Sequence, residues 1–88
     1  MTYTVEYKRS AEKTLAKLPK ATAKKIRAAA DALAEEPRPA GVKKLVGADD
    51  WRIRVGDYRV IYTIQDRKLI VEVVKIGHRS DIYRKLTK

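Results

Sequence analysis

From Thr2 to Tyr7 apolar and polar positions alternate, with Tyr3, Val5 and Tyr7 on one side and Thr2, Thr4 and Glu6 on the other. A period of two predicts a strand with one buried face. Ser10 then offers a helix N-cap. Ala11, Leu15 and Leu18 recur at helical spacing as far as Pro19, which suits the first turn of a new helix. In that second helix Ile26, Ala29, Ala30 and Leu33 fall at i, i+3, i+4 and i+7, and Lys20, Lys24, Lys25 and Arg27 take the polar side. Pro37 and Pro39 end it. Two short apolar faces joined around Leu18-Pro19 predict an antiparallel helical hairpin laid on a sheet.

Residues 37 to 50, with Pro37, Pro39, Gly41 and Gly47, form a connection in which Lys43-Lys44-Leu45 is the part expected to pack. Beyond it the pattern switches to strands. Trp51, Ile53 and Val55 alternate with Arg52 and Arg54; Tyr58, Val60, Tyr62 and Ile64 alternate with Arg59, Ile61 and Thr63. Gly56-Asp57 between them is a two-residue hairpin signal. Gln65 to Lys68 makes the next turn. Leu69 to Ile76, apolar on both faces, reads as a central strand that Gly77 ends. A short helix is expected from Ser80 or Asp81 through Leu86. The sum is a single α+β domain over residues 1–88: an N-terminal strand, a helical hairpin, a three-stranded antiparallel meander and a C-terminal helix.

A two-residue loop fixes register, placing Val55 opposite Tyr58, Arg54 opposite Arg59, Ile53 opposite Val60 and Trp51 opposite Tyr62. One face then carries Trp51, Ile53, Val55, Tyr58, Val60, Tyr62 and Ile64, and is the core face. The other carries Arg52, Arg54 and Arg59. Like charges directly across a ladder destabilise it unless something anionic sits between them. The turn at Gln65 to Lys68 predicts Val74 beside Arg59, with Arg79 just past the strand end and Tyr83 one helical turn further.

Charge sharpens this picture. The 88 residues hold 21 Lys+Arg against 11 Asp+Glu, a net charge of +10, so the expected partner is a polyanion, nucleic acid first. Lysines dominate the helices and connection, whereas six of the nine arginines fall at or after Arg52. Arginine offers a planar fork for bidentate phosphate contact, while lysine on a helix is more often a solvated point charge. A single strand arginine is ordinarily a solvated position; a facing pair with two more nearby reads as an anion site. Tyr83 stands between a helix cap and a member of that site, and a lone His78 at a strand end is more often a surface or turn residue than a catalyst. Trp51 and Tyr62 share the parity of Ile53 and Val60, which makes them core rather than base-stacking platforms.

Composition also excludes. With 88 residues there is room for one core. With 0 cysteines there is no disulfide framework, thiolate metal site or Cys nucleophile, and one histidine rules out a multi-His metal centre. No cofactor is expected. No run approaches the roughly 20 apolar residues of a membrane span, and Met1-Thr2-Tyr3-Thr4 lacks the layout of a signal peptide, so the chain reads as soluble and cytoplasmic.

The string Trp51-Arg52-Ile53-Arg54-Val55-Gly56-Asp57-Tyr58-Arg59-Val60-Ile61-Tyr62, followed by Ile76-Gly77-His78-Arg79 and then Tyr83, resembles the RelE/ParE superfamily of bacterial and archaeal toxins. The likeness spans almost the whole chain. It implies a type II toxin, and the set Arg52, Arg54, Arg59, Arg79 and Tyr83 resembles the RelE-like branch, which cleaves messenger RNA in the ribosomal A site without metal. By that resemblance Arg54, Arg59, Arg79 and Tyr83 are the catalytic candidates, and Arg52, Lys43, Lys44 and His78 bind RNA. Arginine is a poor general base, which leaves the base open among Tyr83, His78 and the ribosome's own groups. The implied partners are a RelB-like antitoxin, the ribosome and messenger RNA, with operator DNA bound by a toxin–antitoxin hetero-oligomer. The alternatives are a ParE-like inhibitor of DNA gyrase and a nuclease-dead, antitoxin-binding member.

Overall fold

A computed structural model describes residues 2–40, 42–44 and 50–78. Its elements are β1 (Thr4–Tyr7), α1 (Arg9–Lys17), α2 (Lys20–Asp31), a 3-10 turn (Ala32–Ala34), β2 (Lys43–Lys44), β3 (Trp51–Val55), β4 (Tyr58–Gln65) and β5 (Ile70–His78). The five strands form one mixed sheet in the order β1-β5-β4-β3-β2. β1 runs parallel to β5 and the other neighbours are antiparallel. The predicted α+β class holds, and the last strand is an interior one between β1 and β4. The expected C-terminal helix lies outside the described residues.

Local chemistry explains the helical boundaries. Leu18 is extended at φ −87°, ψ 156°, as the residue before a proline must be, because Pro19 disfavours a helical backbone on its N-terminal side. α2 therefore starts afresh at Lys20. One expectation fails here: Ser10 does not cap α1. The helix begins at Arg9, and the Ser10 hydroxyl donates instead to the Val74 carbonyl of β5 at 3.0 Å.

Ala11 and Leu15 of α1, Ile26 and Ala30 of α2, and Leu33 of the 3-10 turn pack against Val60, Tyr62, Val71, Val73 and Ile76 of the sheet. Trp51, Ile53, Val55, Tyr58 and Ile64 border this core, so the face predicted from alternation is the one buried under the helices. Gly56 has a φ of +60° while Asp57 does not enter the left-handed region. Glycine at the first central position is the type II′ pattern, whose twist matches the strands it joins. Val55 pairs with Tyr58 and Arg54 with Arg59, as the loop length required.

The β4–β5 register departs from expectation. Val74 does not flank Arg59, and Gly77 does not end the strand. Gln65 pairs with Ile70, so the turn takes four residues, with Leu69 in the left-handed region at φ 54°. The pairing then shifts between Tyr62↔Val73 and Ile61↔Lys75, leaving Val74 as the extra residue of a β-bulge. The result sets Arg59 against Gly77 and Tyr58 against His78. Two bonds from the start of α1 hold this irregular stretch: Lys8 N–H to the Val73 carbonyl at 2.9 Å, and Ser10 to Val74.

Tyr62 closes the bottom of the core. Its ring is fully buried and its hydroxyl donates to the Pro37 carbonyl at 2.7 Å, tying the chain after the helices to the middle of the sheet. Around it, Asp66 accepts from the Tyr3 hydroxyl at 2.7 Å and from both terminal nitrogens of Arg38 at 3.3 and 3.0 Å. The Arg38 guanidinium lowers the Asp66 pKa and also lies 5.1 Å from the Trp51 ring centroid. Burial pushes the Tyr62 phenol up to about 12. Tyr62→Phe should therefore cost about 1–3 kcal/mol in urea denaturation, because it strands a buried carbonyl. A raised folded-state pKa also means that Tyr62's contribution is complete below pH ~10 and is lost as the pH rises towards 12. The Phe variant should lack that alkaline loss.

Candidate functional site on the outer sheet face

Opposite residues of an antiparallel pair point to the same side, so register alone lists the face turned away from the helices. One row crosses Arg54 and Arg59 and ends at Gly77; the next crosses Lys43, Arg52, Ile61 and Lys75. A third runs through Thr63, Glu72 and Glu6. The face is thus basic where β2, β3 and β4 meet and acidic towards β1.

Arg59 is the unusual member. It is 8% exposed, and it is the buried charged residue among those described. A guanidinium cannot shed its charge to escape burial as a lysine can. Arg54, directly across the ladder, is exposed, and its Nε donates to the Gly56 carbonyl at 3.3 Å, which draws it along the hairpin turn. Arg59 Nη1 makes a long 3.5 Å contact to the Tyr58 carbonyl. Arg52 is half-buried beside Ile61, which is 2% exposed. Two guanidinium groups at adjacent ladder positions over a sealed apolar floor concentrate positive potential, and donors held by a rigid sheet cost little reorganisation when negative charge develops in front of them.

Of the other sequence candidates, Lys43 joins this face and Lys44 does not. Lys44 pairs with Trp51, and its ammonium stands 5.8 Å from the centroid of that ring, which also receives Arg38. His78 pairs across the ladder with Tyr58. Its imidazole meets the Tyr58 ring edge-on at 5.7 Å, and Tyr58 belongs to the helix-side face. Arg79 and Tyr83 lie outside the described residues. Lys75 is the face residue that sequence reading missed; strict alternation from Val71 and Val73 assigns it to the core. Among the described residues no three His, Cys, Asp or Glu side chains gather to hold a metal ion.

Beside Arg54 the sheet edge opens into an apolar groove of about 550 Å³, lined by Ala29, Ala32, Leu33, Pro39 and Ile53 with Glu36 and Arg54 at its polar edge. Arg54 thereby belongs to both the groove and the cationic face. No described helix is long and apolar enough to cross a membrane.

The family model for the ParE toxin of type II toxin–antitoxin systems matches residues 5–83. Toxin RelG of Mycobacterium tuberculosis is 35% identical, over 97% of this chain and 100% of that protein. The fold is similar to the archaeal RelE–RelB complex of Pyrococcus horikoshii, with a TM-score of 0.80, 36% identity, and 90% of this chain and 97% of that chain covered. It is also similar to the toxin–antitoxin complex RelBE2 of M. tuberculosis, with a TM-score of 0.81, 30% identity, and 90% and 100% covered.

Repulsion between Arg54 and Arg59 yields a stability test. Arg54→Gln should raise the thermal midpoint at low salt by about 2–4 °C, since a cross-strand like-charge pair costs a fraction of a kcal/mol in so small a domain. The gain should shrink at about 0.5 M salt, where exposed charges are screened. A lower midpoint for the variant at low salt would show that the two charges are already compensated.

Proposed function

The chain belongs to the ParE toxin family of type II toxin–antitoxin systems, within the RelE/ParE superfamily, and from that premise we propose that it is a ribosome-dependent endoribonuclease cutting messenger RNA in the A site. The observation that carries this reading is the buried Arg59 in register with Arg54 on the outer face. Metal-free cleavage requires the 2′-hydroxyl to lose a proton, its oxygen to attack phosphorus, and the 5′-oxygen to leave with a proton. Between those transfers the phosphorane carries extra negative charge, which is where positioned arginines act. In this reading Arg59 and Arg54 stabilise that charge and Arg52 holds the backbone. Arg79 and Tyr83 complete the site, Tyr83 as base or as the ring that stacks on the nucleotide.

A RelB-like antitoxin is the proposed physiological partner. The likeness to two toxin–antitoxin complexes supports it, and so does a net charge of +10, which an acidic partner neutralises. The pair would act in the cytoplasm and bind operator DNA as a hetero-oligomer. A second reading, a ParE-like inhibitor of DNA gyrase without nuclease activity, draws on the family model itself, which is that of the ParE toxin.

Primer extension on a translated transcript after induction separates these readings. We expect cuts within codons on translating ribosomes, reduced about 100- to 1000-fold in Arg59→Ala, the usual loss when one donor to a developing oxyanion is removed. Arg79→Ala and Tyr83→Phe should lower cleavage as well. Intact messenger with induced DNA damage would replace this reading with the gyrase one. Harmless expression of a folded chain would leave only antitoxin binding.

A further inference from the structure

β5 carries a lysine whose direction the bulge reverses. Counting by twos from buried Val71 and Val73 would put Lys75 under the helices, opposite Val60. The extra residue at Val74 interrupts that count, so Ile76 is the buried partner of Val60 and Lys75 stands opposite Ile61 on the arginine face. Bulges commonly re-aim a side chain next to a functional site. This one is held from outside the sheet by the Ser10 and Lys8 bonds to Val74 and Val73, so the aim of Lys75 is built into the packing of α1.

The row that Lys75 completes is Lys43, Arg52, Ile61, Lys75. It lies beside the Arg54–Arg59 row, about 7 Å away along the strands, and Arg52 and Lys75 are two strands apart, about 10 Å at the backbone. Ile61 between them is 2% exposed while both cations remain half-exposed. Long cationic stems can lie along a sealed apolar residue while their charged ends reach the rim of the face. Among the described residues, Glu72 and Glu6 on this face fall in the following row.

We propose that Lys75 is a phosphate-binding residue for single-stranded RNA, forming with Arg52 and Lys43 a second cationic row that holds the backbone beside the bond gripped by Arg54 and Arg59. The assignment rests on the endoribonuclease reading. Lys75 is a point charge on a flexible stem, suited to holding a backbone phosphate rather than to stabilising a transition state.

The test is fluorescence anisotropy of the full chain with a 2′-O-methyl RNA oligonucleotide, which binds and cannot be cut, between about 0.05 and 0.2 M salt. Lys75→Ala should weaken binding about fivefold at about 0.1 M salt and make the log–log salt slope shallower by about 0.7, the loss of one single-strand phosphate contact. Lys75→Arg should restore both. Lys68→Ala, in the exposed β4–β5 turn, removes the same charge and should leave the slope unchanged. Wild-type affinity and slope in Lys75→Ala, or an equal drop in both alanine variants, would overturn the assignment. Cleavage by the wild-type chain on ribosomes judges the underlying reading separately, so a chain that cuts normally yet ignores Lys75 in binding sinks this inference alone.

Discussion

Everything in this fold turns on the register of one hairpin. β4 is sealed on both sides, with Val60 and Tyr62 under the helices and Arg59 and Ile61 on the outer face. A slip of one residue against β3 would exchange the two sets, driving guanidinium groups into the core and leaving Tyr62 without its bond to Pro37. The II′ turn at Gly56-Asp57 and the burial of Tyr62 therefore specify the site as firmly as they specify the core. A domain this small has little stability to spare, so one strand serves both purposes.

The bulge in β5 answers a conflict that this double use creates. A strand of strict alternation can bury Val71 and Val73, but it then buries Lys75 too. Interior strands cannot hide a lysine without a partner at acceptable cost. One extra residue resolves the conflict by letting Ile76 take the core position and turning Lys75 outward, while Gly77 comes level with Arg59. Ser10, freed from capping its helix, supplies a bond to the bulged residue. The weak helix start and the irregular strand are two parts of one local arrangement.

That coupling also explains what the sequence made legible. Alternation in Trp51–Val55 and Tyr58–Ile64, with a two-residue Gly-Asp loop between them, left one register, and from it followed both the core face and the Arg54–Arg59 pair. The helical hairpin was equally clear from Pro19 and the spacing of Ile26, Ala30 and Leu33. What could not be read was set by contacts between distant segments. A four-residue turn with Leu69 in a left-handed conformation carries no glycine to announce it. The bulge depends on Ser10, 64 positions away in the chain, and no pattern within β5 distinguishes a bulged Val73-Val74 from an ordinary apolar run. Lys75 escapes the alternation for that reason, and the same shift of register sets His78 opposite Tyr58.

The arginine face carries a thermodynamic consequence of its own. A rigid sheet that holds Arg54 opposite Arg59 keeps two guanidinium groups on one face, so an anion that binds there stabilises the folded state by linkage. Under the proposed function, RNA phosphate and the carboxylates of an acidic antitoxin would draw on the same linkage. Occupants that use one cationic face exclude each other, so the tighter one displaces the weaker. Preorganised charge is useful to a catalyst because it does not relax when the substrate leaves. By the same argument, a strongly basic chain gains stability while it is held by a partner of opposite charge.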